Sequence, residues 1–185
     1  FGNGAAMRAP VLALFFYDSL DKLVVNTRAA SEITHSHPVG IDGAVLIALA
    51  TSQLLINRSK EEVCEVVVAH CQTEEMRKPL QVAVNWLQQN SRPAVSEVVA
   101  QLGNGITAQK SCVTALYIAL RFIDSGFLDM MNFIIDAGGD VDTIGAMAGS
   151  LWGAFNGSSG LPEFKIEDGA RIEETALRIY SAVRC

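Results

Sequence analysis

The sequence has no block of basic residues. Its 14 Lys and Arg are scattered among 20 Asp and Glu, giving a formal net charge of −6. A groove that tracks a nucleic-acid backbone needs clustered positive charge, so no nucleic-acid partner is expected. A small anionic ligand needs only local donors and stays open. Metal-type cysteine spacing is also lacking. Cys64, Cys71, Cys112 and Cys185 include no CxxC pair and read as reduced thiols of the cytoplasm or another reducing compartment. The chain does not open on a secretory signal. Apolar–polar alternation over strand length is rare, which leaves little for a sheet. The strongly apolar segment Pro38 to Ile56 contains Gly40, Asp42 and Gly43, then Thr51, Ser52 and Gln53. A spanning helix needs about 20 predominantly apolar residues and places charge rarely. This segment therefore reads as a buried central helix, with no membrane partner.

What the chain does have is apolar mass at helical spacing. Its 185 residues are 50% hydrophobic, enough for one sizeable core. Leu20 to Thr34 reads as a helix, and so does Ser59 to Cys71, where Ser59 and Glu62 form a capping-box pattern. Glu74 to Gln89, Ser96 to Leu102, Ser111 to Ser125, Phe127 to Ala137, Thr143 to Phe155 and Asp168 to Val183 follow. The expectation is an all-α fold in a single domain over residues 1–185, with Asn156 to Pro162 as a surface loop. Trp86 and Trp152 sit on apolar helix faces and are assigned to the core.

The stretch from Ala137 to Gly149 carries the most chemistry. Gly138 and Gly139 precede Asp140, Asp142 and Thr143, which put two carboxylates and a hydroxyl on one turn. Hard cations such as Mg²⁺, Mn²⁺ and Ca²⁺ prefer oxygen ligands of this kind. An Asp at a helix start is most often an N-cap or dipole partner, but paired carboxylates exceed what one cap needs. Gly145, Gly149 and Gly153 recur every fourth residue behind them. That stripe costs helix propensity and makes sense where something packs tightly.

Gly2-Asn3-Gly4 precedes an apolar segment. By spacing alone it is an ordinary turn, although amides at a helix start also suit phosphate. Arg8 reads equally as a phosphate ligand or as a structural salt-bridge partner. Gly-Asn-Gly recurs at 103–105, too short a match to count as a repeat. His35 and His37 have no adjoining acidic cluster and are not assigned as metal ligands.

Gly-Gly-Asp-Val-Asp-Thr-Ile at 138–144, followed by Ala-Met-Ala-Gly-Ser at 146–150, resembles the C-terminal motif of the ADP-ribosylglycohydrolases. Three further segments fit in the family's order: Gly2 to Arg8, Thr34-His35-Ser36-His37-Pro38, and Gly103 to Tyr117, the last most similar to the vertebrate type that removes ADP-ribose from serine. The resemblance implies a compact multi-helix domain, here lacking its N-terminal segment. It implies two Mg²⁺, with Mn²⁺ as the alternative. Asp140 and Thr143 would bind individual ions, and Asp142 would bridge. Gly2, Asn3 and Gly4 would face the diphosphate of ADP-ribose, His35 would contact its adenosine part, and Ile106 would form an apolar wall of that pocket. Val141 stands where relatives often have Thr.

The family also uses a Glu acting on the attacking water and a Thr-Asp-Asp set of further metal ligands. Nothing in this sequence matches either, and the chain opens at Phe1, inside a functional loop. The expectation is that this chain supplies half of a dinuclear site. It would be inactive alone, and partnered by its own N-terminal segment or a complementary chain. Its substrates would be ADP-ribosylated proteins or related ADP-ribosyl conjugates. The alternative is a catalytically silent ADP-ribose-binding or structural, crystallin-like relative.

Overall fold

The computed structural model describes residues 1–158, 160–163 and 166–183; Cys185, assigned above as a reduced thiol, and Ser159 of the expected loop lie outside them. In chain order the helices are α1 (Gly4–Arg8), α2 (Pro10–Phe16), α3 (Leu20–Glu32), α4 (Pro38–Leu55), α5 (Lys60–His70) and α6 (Glu74–Gln88). Then come α7 (Val95–Leu102), a 3₁₀ turn (Ala108–Lys110), α8 (Cys112–Arg121), α9 (Phe127–Ala137), α10 (Val141–Asn156) and α11 (Gly169–Val183). Among the described residues extended pairing is limited to one isolated antiparallel bridge, Gly2 with Thr107. The architecture is all-α.

Helix α4 is the axis. Every residue from Val39 to Leu54 is buried, because α1, α2, α3, α5, α8 and α10 all pack on it. By length and composition α4 could cross a membrane, yet 89% of it is covered by the rest of the fold. Small residues make such dense neighbours possible. A Cβ on Gly43 would lie 2.8 Å from Cys112 Sγ, so glycine here sets how closely α8 approaches. The polar residues of α4 are satisfied internally: Thr51 donates to the Ile47 carbonyl and Ser52 to that of Leu49.

Asp42 is the carboxylate inside this core, 1% exposed. Its oxygens accept from the Gln72 and Thr73 backbone N–H groups and from the Thr73 hydroxyl. The Cys71 thiol also donates to it; a buried carboxylate is stable only when paired in this way, and it pins the α5–α6 connection to the central helix. The Ser59–Glu62 capping box forms as read from the sequence.

Two sequence expectations change. Helix α8 stops at Arg121 instead of Ser125. Side chains from α10 take the carbonyls beyond it: Asn156 Nδ2 donates to Ile123 O and Trp152 Nε1 to Ser125 O. These partners, roughly thirty residues away, compete with another helical turn. The glycine stripe of α10 is tight only near its start. A Cβ on Gly145 would lie 3.3 Å from Met131 Cε and one on Gly149 3.8 Å from Phe127 Cε2, whereas nothing approaches Gly153 within 4 Å. Trp86 and Trp152 are packed edge-on against Tyr117 and Phe127, each at 5.3 Å between ring centroids.

Candidate functional site

Helix α9 ends at Ala137, and the chain turns through Gly138 (φ 64°) and Gly139 (φ 73°) into α10. Both glycines need positive φ, which side chains rarely adopt. Gly139 has a second reason. A Cβ there would collide with the Asn104 carbonyl and lie 2.7 Å from its Cγ. Asn104 grips this turn from both ends: its Nδ2 donates to the Ala137 carbonyl at 2.8 Å, and its own carbonyl accepts from Asp140 N at 2.8 Å.

Asp140 occupies the N-cap position of α10, but its side chain makes no capping bond. The carboxylate is used elsewhere. Oδ2 accepts from Asn3 Nδ2 at 2.5 Å, and Oδ1 accepts from the Thr143 hydroxyl at 3.2 Å. Thr143 is 9% exposed. Asp142 is exposed and its carboxylate takes no protein partner among the described residues.

The chain start lies alongside the 103–108 loop. Asn3 N donates to the Ile106 carbonyl (3.2 Å) and Ala108 N to the Phe1 carbonyl (2.7 Å). Asn3 is 7% exposed, and its Nδ2 also donates to Ser111 Oγ at 3.0 Å. The two Gly-Asn-Gly stretches therefore sit together, and each asparagine holds Asp140: Asn3 through its side chain, Asn104 through its carbonyl.

His35 packs on the glycines of the first loop. A Cβ on Gly2 would lie 3.2 Å from His35 Nε2, and one on Gly4 3.1 Å from its Cε1. Thr34 Oγ1 lies 2.8 Å from His35 Nδ1 and accepts from the Arg8 guanidinium at 2.6 Å. Arg8 thus orients the histidine through Thr34, and among the described residues it forms no ion pair. His37 caps α4 by accepting from Val39 N and lies against Phe1. The Ile106 side chain is 71% exposed.

The structure thus gathers Gly2, Asn3, Gly4, Asp140, Asp142 and Thr143 around paired loops, with His35 against Gly2 and Gly4. Asn104, Ser111 and Thr34 complete the arrangement without having been assigned individual roles from the sequence. The duplicated Gly-Asn-Gly was the signal available for Asn104. Among the described residues no group of three or more His, Cys, Asp or Glu can hold a metal ion. The donor set fits a hard divalent cation in chemistry, since Asp140, Asp142 and Thr143 offer only oxygens. In number, it falls short of two ions that each want about six ligands.

A family model for ADP-ribosylglycohydrolase matches residues 1–184. ADP-ribosylhydrolase ARH3 of Bos taurus is 32% identical over 211 residues, an alignment covering 100% of this chain and 58% of the relative. The Homo sapiens ARH3 is 31% identical with the same coverage. An uncharacterized protein of Archaeoglobus fulgidus is 29% identical over 180 residues, covering 96% of this chain and 57% of its own. The chain thus spans less than two-thirds of the length of these relatives. With nearly every residue matched by the family model, the chain belongs to the ADP-ribosylglycohydrolase family.

Proposed function

We propose that this chain supplies half of a dinuclear cation site and the ADP-ribose-binding loops of an ADP-ribosyl hydrolase that removes ADP-ribose from modified proteins. The observation that carries the reading is the Asp140 carboxylate, withheld from helix capping and held between the Asn3 amide and the Thr143 hydroxyl. A carboxylate used only as a cap would accept from a backbone N–H of the first turn of α10, and the Asp140 side chain accepts from none of them. The similarity to the ADP-ribosylhydrolases ARH3 supports the reading, and the Gly103 to Tyr117 resemblance favours serine-linked ADP-ribose as the substrate.

Asp140, Asp142 and Thr143 would hold the cations, Mg²⁺ or Mn²⁺. Bound there, divalent ions would supply Lewis acidity and a template for ribose hydroxyls and water. The chain's own residues do the rest. The Gly2–Gly4 loop would receive the diphosphate on side-chain-free backbone, and His35, oriented by Thr34, would contact the adenosine portion. Ile106, extended from the neighbouring loop, would close over the nucleotide as an apolar wall. Cleavage at the anomeric carbon develops oxocarbenium-like charge. The remaining ligands and the Glu that acts on water would come from residues outside these 185, as the N-terminal segment of the same protein or a complementary chain. Free, buried Cys64, Cys71 and Cys112 support a reducing compartment, the cytoplasm.

The test is release of free ADP-ribose, followed by chromatography, from serine-ADP-ribosylated peptide by the protein expressed from its complete reading frame. Mg²⁺-dependent release is expected. Tight ADP-ribose binding with no release in Mg²⁺ or Mn²⁺ would favour the silent binding relative.

A further inference from the structure

The hydrogen bonds around Asn3 form a directed chain. The Ser111 hydroxyl donates to the Thr107 carbonyl at 3.0 Å. Its lone pair is therefore what faces Asn3 Nδ2, also at 3.0 Å. The second hydrogen of that amide goes to Asp140 Oδ2 at 2.5 Å. An ionised carboxylate only accepts, so the side-chain atom facing it must be the NH₂ group. Both amide hydrogens are then committed, and the Asn3 side chain has no donor left for a phosphate. Its backbone N–H is also taken, by Ile106. Ser111 is fully buried and Asn3 nearly so, so water does not readily substitute for either partner.

We propose that Asn3, locked by Ser111, is a positioning residue for Asp140. This rests on the cation reading of Asp140 and Asp142. Residues that orient a metal ligand typically cost 10–100-fold in metal affinity when removed.

The experiment measures Mn²⁺ binding by electron paramagnetic resonance in the protein expressed from its complete reading frame. The variants are Asn3→Ala, Ser111→Ala, Ser111→Thr and Asp142→Asn. Asn3→Ala and Ser111→Ala are expected to weaken Mn²⁺ by about tenfold. Ser111→Thr, which keeps the hydroxyl, is expected to restore it. Should Asn3→Ala not fold, the Ser111 pair carries the test by itself. Mn²⁺ binding that is lost in Asp142→Asn but untouched by Asn3→Ala and Ser111→Ala would overturn this proposal and leave the cation reading standing. Mn²⁺ binding unaffected by Asp142→Asn would overturn both.

Discussion

Asp140 and Asn104 are joined through their backbones: the Asp140 N–H donates to the Asn104 carbonyl at 2.8 Å. Gly139 makes that approach possible, since a Cβ on it would collide with the same carbonyl. Gly139→Ala is therefore expected to destabilise the protein by more than the about 1–3 kcal/mol of positive-φ strain alone. Gly138→Ala, also at positive φ but with nothing within 4 Å of its Cβ, is expected to pay the strain only. Urea unfolding of the two variants separates collision from strain, and equal losses would refute the collision.

His35 touches the Gly2–Gly4 loop, and its recorded hydrogen bond is to Thr34. His35→Ala should weaken ADP-ribose binding and leave divalent-cation affinity nearly unchanged. Adenosine alone should bind far more weakly than ADP-ribose, because hydrogen bonds to charged groups contribute roughly 1.5–3 kcal/mol each. Calorimetric titration with each ligand reads all three expectations. Loss of the metal with ADP-ribose affinity retained would place the histidine at the wrong end of the site.

Asp42 is a structural carboxylate, buried and paired inside the core. Asp42→Ala leaves two backbone N–H groups and the Thr73 hydroxyl without their acceptor. These donors are part-buried, so at the lower end of roughly 1–3 kcal/mol for each unsatisfied group the expected loss is about 2–3 kcal/mol in urea unfolding. Asp142→Asn, on an exposed side chain, should change stability by less than about 0.5 kcal/mol.

Burial pushes the Cys71 and Cys112 thiols up to about 12 and the Cys64 thiol up to about 11; the nearby Asp42 adds to the effect on Cys71 and the nearby Glu61 to that on Cys64. The thiolate is the nucleophile, so at pH 8 all three should resist iodoacetamide in the native protein. They should label readily in denaturant. Peptide mapping after brief native labelling checks this, and fast modification of Cys112 would contradict its packing against α4.

Helix positions were legible because the apolar residues of α5, α6, α9 and α10 recur at helical spacing and the Ser59 cap announces itself locally. Helix α8 was drawn too long because what stops it, Trp152 and Asn156, is distant in sequence. Helix α11 showed that periodicity reports helix formation and not burial. It forms over Gly169–Val183, yet none of its residues is buried. The candidate loops were each visible as glycine and acid motifs. Their assembly was not, since the Asn3–Asp140 bond joins residues 137 positions apart, and no local pattern encodes such a contact.

The central claim is that Asp140, Asp142 and Thr143 form a cation site. Isothermal titration of Mg²⁺ and Mn²⁺ into the protein expressed from its complete reading frame tests it most directly, comparing wild type with Asp142→Asn. Because Asp142 is exposed and takes no protein partner among the described residues, its replacement removes charge while leaving the fold intact. The expected result is sharply weakened cation binding together with loss of ADP-ribose release. Asp140→Asn should act similarly, and Thr143→Ala less severely. Wild-type affinity for both cations in Asp142→Asn would contradict the account and return the motif to the start of an ordinary buried helix.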